Sequence, residues 1–248
     1  MTATTREDLP LAAEPVVNAR QLSLRTKRGW VFRDVDLDLA EGELLAVAGP
    51  AGSGRSMLLL TLAGRAKPSS GTLSVAGDQR RSRIRQATLA ARITGAIELE
   101  GDLRIADHLR EAQWLTHREL DYRSAAELVG FTVDSATFVN DLAPDEATLF
   151  AVALAVAGKP RLVVVDDVDV AATVEQQRRI WAALAGVARS GITVAASTVE
   201  PDIPAALGAR VLALPVHGEY NDIPRDIPRD IPSEIPGTAK EDGSDATD

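Results

Sequence analysis

Gly49, Gly52 and Gly54 stand at offsets that let a chain curl tightly around an anion, and Arg55 and Ser56 follow them directly. Backbone N–H groups in such a loop can turn inward onto phosphate oxygens, and a helix starting just beyond adds the positive end of its dipole. The stretch Gly49-Pro50-Ala51-Gly52-Ser53-Gly54-Arg55-Ser56 is preceded by the apolar run Leu44-Leu45-Ala46-Val47-Ala48 and followed by Met57-Leu58-Leu59-Leu60. Strand, glycine loop and helix start in that order make a P-loop. Gly49 through Met57 are therefore the candidate nucleotide-binding residues, and the Ser56 hydroxyl is a candidate ligand for Mg²⁺. One position departs from the motif, which has Lys where this chain has Arg55. Lys is a compact point charge and Arg a wider planar fork, so Arg55 keeps the charge but cannot fill the same space.

A second position, this one bearing a carboxylate, completes the chemistry. Asp166 ends the apolar run Leu162-Val163-Val164-Val165. A carboxylate there can hold the water shell of a Mg²⁺ whose direct ligands are Ser56 and phosphate oxygens, or it can simply cap the strand end. Uninterrupted apolar runs of this kind are strands buried on both faces, as in a parallel sheet.

The elements that must position these groups are legible as well. Val16 to Thr26 alternates loosely and reads as a strand, Val31 to Leu39 alternates cleanly and reads as a second strand with one solvated face, and Thr72 to Ala76 is a short strand after the turn at Lys67 to Gly71. Ile93 to Leu99 is expected to be a strand, and about Ile105 to Val139 helical. Pro144-Asp145-Glu146 opens a further helix, with proline and acids in its first turn. A long helix over about Thr173 to Ser190 carries Ile180, Leu184 and Val187 at helical spacing, and Thr193 to Ala196 and Arg210 to Leu214 read as the last strands.

Composition narrows the class. The 248 residues suit one α/β domain, and 45% are hydrophobic, enough for a sizeable core. There is no cysteine, and the three histidines lack metal-ligand spacing, so disulfides, thiol chemistry and a zinc site are not expected. A formal net charge of −9 argues against nucleic acid as a partner. The basic run Arg80-Arg81-Ser82-Arg83-Ile84-Arg85 is short and has no interleaved aromatics, so a solvated helix face is the better reading. No apolar run approaches the ~20 residues needed to span a bilayer, and no signal-peptide core opens the chain. The expected location is cytoplasmic, with any membrane link made through a partner.

Residues 1–15 read as a flexible lead and 220–248 as a disordered tail in which Asp-Ile-Pro-Arg recurs, since each proline lacks an amide donor and disfavours helix in the residue before it. The ordered domain is then 16–219, with a small helical subdomain around 100–155.

The order of features over about residues 16–215 resembles the ATP-binding subunit of ABC transporters. Val35-Asp36-Leu37 through Glu41-Gly42-Glu43 to the P-loop is similar to that family's first segment, as are Leu62-Ala63-Gly64-Arg65, Pro68, Ser70-Gly71-Thr72 and Val75-Ala76-Gly77. The resemblance implies a P-loop α/β fold with a mostly parallel central sheet, an antiparallel β part and a helical subdomain. It implies ATP and Mg²⁺ as cofactors, a homo- or heterodimer with another ATP-binding subunit, and a membrane permease as partner, which would place the chain at the inner face of the membrane.

Several family positions are altered. The signature Leu-Ser-Gly-Gly-Gln is replaced by Leu142-Ala143-Pro144-Asp145-Glu146, which is expected to turn two carboxylates toward a phosphate on the opposite subunit. The catalytic Glu is replaced by Asp167, shorter by one methylene, and a base misplaced by ~1 Å can cost ~10²-fold. Val199 stands for the switch His, Thr173 for the Asp-loop residue, and Glu98 is the nearest candidate for the Q-loop Gln. Trp30 either stacks on adenine in place of the usual Tyr or is a half-buried strand aromatic. Two functions follow: an ATP-binding transporter subunit with weak or absent hydrolysis, in which Asp167 would be the base, or a non-hydrolysing pseudo-ATPase acting as a structural or regulatory partner.

Overall fold

The computed structural model describes residues 14–116 and 120–215. The elements run in the order β1 (Val17–Thr26), β2 (Gly29–Leu39), β3 (Leu44–Ala48), α1 (Arg55–Leu62), β4 (Ser70–Val75), α2 (Arg81–Ala87) and β5 (Thr88–Arg92). They continue with α3 (Ile105–Thr116), α4 (Tyr122–Val129), α5 (Pro144–Ala157), β6 (Leu162–Val165), α6 (Val174–Arg189), β7 (Thr193–Thr198), α7 (Asp202–Ala206) and β8 (Arg210–Ala213). A five-stranded parallel sheet has the order β5-β6-β7-β3-β8, and a three-stranded antiparallel sheet has the order β2-β1-β4.

The apolar runs are explained by two cores lying on opposite faces of the parallel sheet. Val163, Val165, Val194, Ala196, Leu44 and Ala46 pack with α4, α5 and α6. Their strand neighbours Leu162, Val164, Ala195, Leu45 and Val47 pack instead with α1 and the antiparallel sheet. Successive strand residues point to opposite faces, so a strand that serves two cores must be apolar at every position. The helix α5 is buried around most of its circumference, from Thr148 through Val156, because the sheet lies on one side and α4 and α6 on the others. Phe150 is the hub of that packing, with the rings of Phe131, Tyr122 and His108 centred 5.5, 6.1 and 6.0 Å away.

The strand expected over Ile93 to Leu99 lies earlier, at β5. After Arg92 the chain turns instead of extending: Gly95 takes a φ of +70°, and the Ile93 amide donates to the Ile97 carbonyl at 2.8 Å. The helical expectation over Ile105 to Val139 holds for α3 and α4, but Gly130 ends α4 in a left-handed cap and a segment without regular structure, then a turn, follows. The expected tail lies outside the described residues. No helix among the described residues is long and apolar enough to cross a membrane.

Candidate functional site

The carboxyl ends of parallel strands, where the order of connection reverses, are where open α/β sheets build crevices. Here β7 lies between β3 and β6. The glycine loop leaves β3, Asp166 leaves β6, and Ser197 and Thr198 end β7 between them, all on that one edge of the sheet.

The loop is pinned at both ends. The Gly49 amide donates to the Thr198 carbonyl at 3.3 Å, and the Ser53 amide to the Pro50 carbonyl at 3.1 Å. Pro50, Ala51 and Gly52 form its exposed tip. The first bond of α1 runs from the Leu58 amide to the Gly54 carbonyl at 2.9 Å, so the amides of the helix's first turn have no intrahelical partner and are free for an anion. Gly54 caps α1 at φ +95°, ψ 8°, with Val31 of β2 directly against it. Ser56 is half-buried in the first turn, and Met57 packs on the core beneath.

Arg55 and Asp167 meet. Nη2 of Arg55 donates to Oδ1 of Asp167 at 3.0 Å, with only 9% and 14% of the two side chains exposed. Thr94 Oγ1 donates to the other carboxylate oxygen at 3.0 Å. The Asp167 amide donates to Ser197 Oγ at 2.8 Å, and its carbonyl accepts from Arg92 Nη2 at 2.5 Å. Burial raises the Asp167 pKa above the ordinary carboxylate value, and the charge of Asp166 adds to this, against the opposing pull of Thr94 and Arg55. Asp166 is fully buried, and its Oδ1 accepts from Ser197 Oγ at 2.5 Å.

Sequence reasoning missed four of these residues. Arg92 ties β5 to the carbonyls of Asp166 and Asp167 and to Thr148 Oγ1 of α5. Thr94 and Ser197 hold the two acids. Asp169 accepts from the Val199 amide at 2.6 Å and fixes the segment after β7. Ser197 could have been suspected from its place at the end of a buried strand in a P-loop protein; a polar residue there needs a partner.

The two carboxylates at the start of α5 do not project outward as expected. Asp145 is 4% exposed and turns inward to α6, accepting from Gln176 Nε2 at 2.9 Å and from Arg179 Nη1 at 2.6 Å. Glu146 folds back so that its Oε2 accepts from the Ala143 amide at 3.0 Å, half of a capping box. Satisfying helix-end amides and a cross-helix guanidinium outweighs solvation for these two acids. Asp145→Ala would leave Gln176 Nε2 without its acceptor and the half-exposed Arg179 without its carboxylate. Allowing for solvent screening at Arg179, a loss of about 1–2 kcal/mol is expected, read as a lower urea midpoint.

Thr173 is the N-cap of α6 in a full capping box with Gln176, and Glu98 accepts from the Gly95 amide at 2.8 Å within its own turn. Val199 is exposed. Trp30 lies opposite Arg25 in the sheet, and the guanidinium carbons of Arg25 and Arg33 stand 5.3 and 5.2 Å from its ring centroid. Trp30 is half-buried on β2, and it is its neighbour Val31 that abuts Gly54 of the loop.

Three buried polar atoms around the loop have no hydrogen-bond partner in the protein: Ser53 Oγ, Arg55 Nη1 and Asp166 Oδ2. Buried polar groups are nearly always paired, so such atoms need an explanation. A cationic donor and a carboxylate oxygen flanking free helix-start amides fit a phosphate chain and the hydrated cation that accompanies it.

A family model described as ABC transporter matches residues 32–169. An ABC transporter ATP-binding protein of Streptomyces coelicolor is 28% identical over 217 residues, covering 84% of this chain and 38% of that one. The methionine import ATP-binding protein MetN of Nocardia farcinica is 28% identical over 220 residues, covering 81% of this chain and 64% of its own length. The chain thus spans less than two thirds of these relatives. Among solved structures, the dimeric bacterial ABC transporter cassette MJ0796 superposes with a TM-score of 0.67 at 19% identity, over 80% of this chain and 94% of that one. The ADP form of the cassette MJ1267 superposes with a TM-score of 0.69 at 12% identity, over 82% and 88%.

Proposed function

This chain belongs to the ABC transporter family as one of its ATP-binding domains, and from that premise we propose that it binds Mg²⁺-ATP at the Gly49–Ser56 loop, hydrolyses it slowly or not at all, and serves as one half of a cassette pair beneath a membrane permease. The observation that carries the binding is the set of unpartnered buried atoms on Ser53, Arg55 and Asp166 around free helix-start amides. The loop amides and Arg55 hold the phosphates, Ser56 ligates the metal, Asp166 holds its water shell, and Trp30 carries the adenine. Mg²⁺ held by Ser56 and supported by Asp166 would supply neutralisation of the phosphate charge.

Weak turnover is supported by the state of Asp167. The family position makes it the base, yet each of its carboxylate oxygens already accepts a hydrogen bond, from Arg55 and from Thr94. General-base catalysis is worth ~10²–10⁴-fold, and a group that must first break a buried ion pair forfeits much of that. Val199 brings no proton-bearing or hydrogen-bonding side chain to the position of the switch His.

The start of α5 supports a partner that is not a second copy. Ala143 has no hydroxyl, its amide is taken by Glu146, and Pro144 has no amide to give. A helix start so depleted of donors does little for a phosphate on the opposite subunit. The chain therefore fits a heterodimer in which its own loop is completed by a partner's intact signature.

Trp30→Ala is expected to weaken ATP binding by roughly five- to tenfold through loss of stacking, with little effect on pyrophosphate. Titration calorimetry with both ligands checks it. For the function as a whole, Mg²⁺-ATP binding by calorimetry and turnover on the same sample are decisive. Micromolar affinity with negligible turnover supports the nucleotide-holding partner. Clear turnover means that Arg55 and Asp167 suffice for hydrolysis, and no binding leaves an interaction protein with an inherited fold.

A further inference from the structure

Asp167 is better built to hold a cation than to move a proton. Its φ of +47° places it in the left-handed region. Its amide is tied to Ser197, its carbonyl to Arg92, and one carboxylate oxygen to Thr94. A group fixed on so many sides cannot swing aside cheaply. Arg55, in contrast, reaches its partner on a flexible stem and keeps Nη1 buried without a partner.

We infer that Asp167 is a positioning residue and resident competitor: its carboxylate holds the Arg55 guanidinium that a nucleotide's phosphate must capture, and so sets how tightly the loop binds polyphosphate. This rests on the reading of the loop as a nucleotide site.

The planar fork makes the arrangement workable. Arg55 can keep Nη2 on Asp167 while Nη1 goes to a phosphate oxygen, or leave Asp167 altogether. A lysine, with one charge centre, would have to choose. The competition is strong because Arg55 is buried and Asp167 largely so, where the attraction between opposite charges is less screened than in water. It also has a local balance. Asp166, Asp167 and Asp169 bring three carboxylates to the carboxyl edge of β6, and the guanidiniums facing Asp167 are Arg55 on its carboxylate and Arg92 on its carbonyl. A phosphate entering there meets negative charge that Arg55 offsets together with the free amides at the start of α1.

The test uses ADP and inorganic pyrophosphate, neither of which asks for a base, so that hydrolysis does not enter. Binding is measured by calorimetry on the full chain for the wild type, Asp167→Asn, Arg55→Gln and the double variant, with circular dichroism checking the fold of each. Asn tolerates the left-handed backbone and can still accept from Thr94. The expected result is that Asp167→Asn tightens binding roughly tenfold, and that in the Arg55→Gln background the same change does nothing. A merely structural role for Asp167 would not distinguish the two backgrounds. Unchanged or weaker binding by Asp167→Asn, with the wild type binding, overturns the competitor and leaves the nucleotide site standing. An equal gain in both backgrounds overturns it too, since the effect would then not pass through Arg55. If none of the four proteins binds ADP or pyrophosphate, the nucleotide site itself fails, and the competitor with it.

Discussion

Asp166→Asn is expected to fold more stably than the wild type by about 1–2 kcal/mol and to bind Mg²⁺-nucleotide roughly 10–100-fold more weakly. The opposite signs come from one feature. Asp166 is fully buried, one oxygen accepts from Ser197, and the other has no partner in the protein. Burying a carboxylate with so little compensation is costly, and an amide in its place removes the charge while keeping the Ser197 bond. The amide nitrogen still lacks an acceptor, which keeps the gain modest. The same change deletes the charge that would hold a hydrated metal. Urea unfolding and calorimetric titration with and without Mg²⁺ check the two halves. A variant that loses stability and keeps its affinity would mean that Asp166 is a strand-end group and nothing more. Ser56→Ala should share the loss of Mg²⁺ dependence without the gain in stability, because Ser56 is half-buried and uncharged.

Gly54→Ala is expected to lose about 2–5 kcal/mol and to abolish nucleotide binding. The backbone at Gly54 sits at φ +95°, which L-residues rarely adopt, and an added Cβ would press onto the Val31 carbonyl oxygen. Backbone against backbone leaves no flexible side chain to yield, so either the start of α1 or the edge of β2 must shift. Both border the loop. The neighbouring glycine makes a built-in control: a Cβ on Gly52 meets nothing within 4 Å, although its φ is +80°. Gly52→Ala should therefore carry the conformational strain alone, about 1–2 kcal/mol. Thermal melts of the two variants separate strain from collision. Equal losses would contradict the close approach of β2 to the loop.

What the sequence disclosed and what it hid divide along chemical distance. The loop, the buried strands and the helix opened by Pro144 were legible because each is written in consecutive residues: glycine offsets, unbroken apolar runs, a proline with acids. Ile93 to Leu99 misled because Ile93 and Ile97 look like strand residues, whereas the turn around Gly95 depends on a backbone bond across it. The acids at 145 and 146 misled for a different reason. Their charge was visible, but the Arg179 and Gln176 that draw Asp145 inward belong to another helix. The ion pair of Arg55 with Asp167 joins the start of α1 to the segment just after β6, residues 112 apart in the chain, and no local pattern announces it. Each residue alone invites its family role, phosphate ligand or base, and only the fold reveals that they are bonded to each other.

The strand order also has a consequence for the birth of the protein. The loop's own strand, β3, bonds only to β7 and β8, both made from the last part of the described chain. During synthesis from the N-terminus, Ala48 must wait for Thr198 to be translated before it has a neighbour on that side. Until then the antiparallel sheet and α1 can shelter one face of β3, but its edges stay unpaired and apolar. Among the described residues the nucleotide seat is thus completed late on the ribosome, and a chain stalled before β7 would carry the glycine loop without the strand that anchors it.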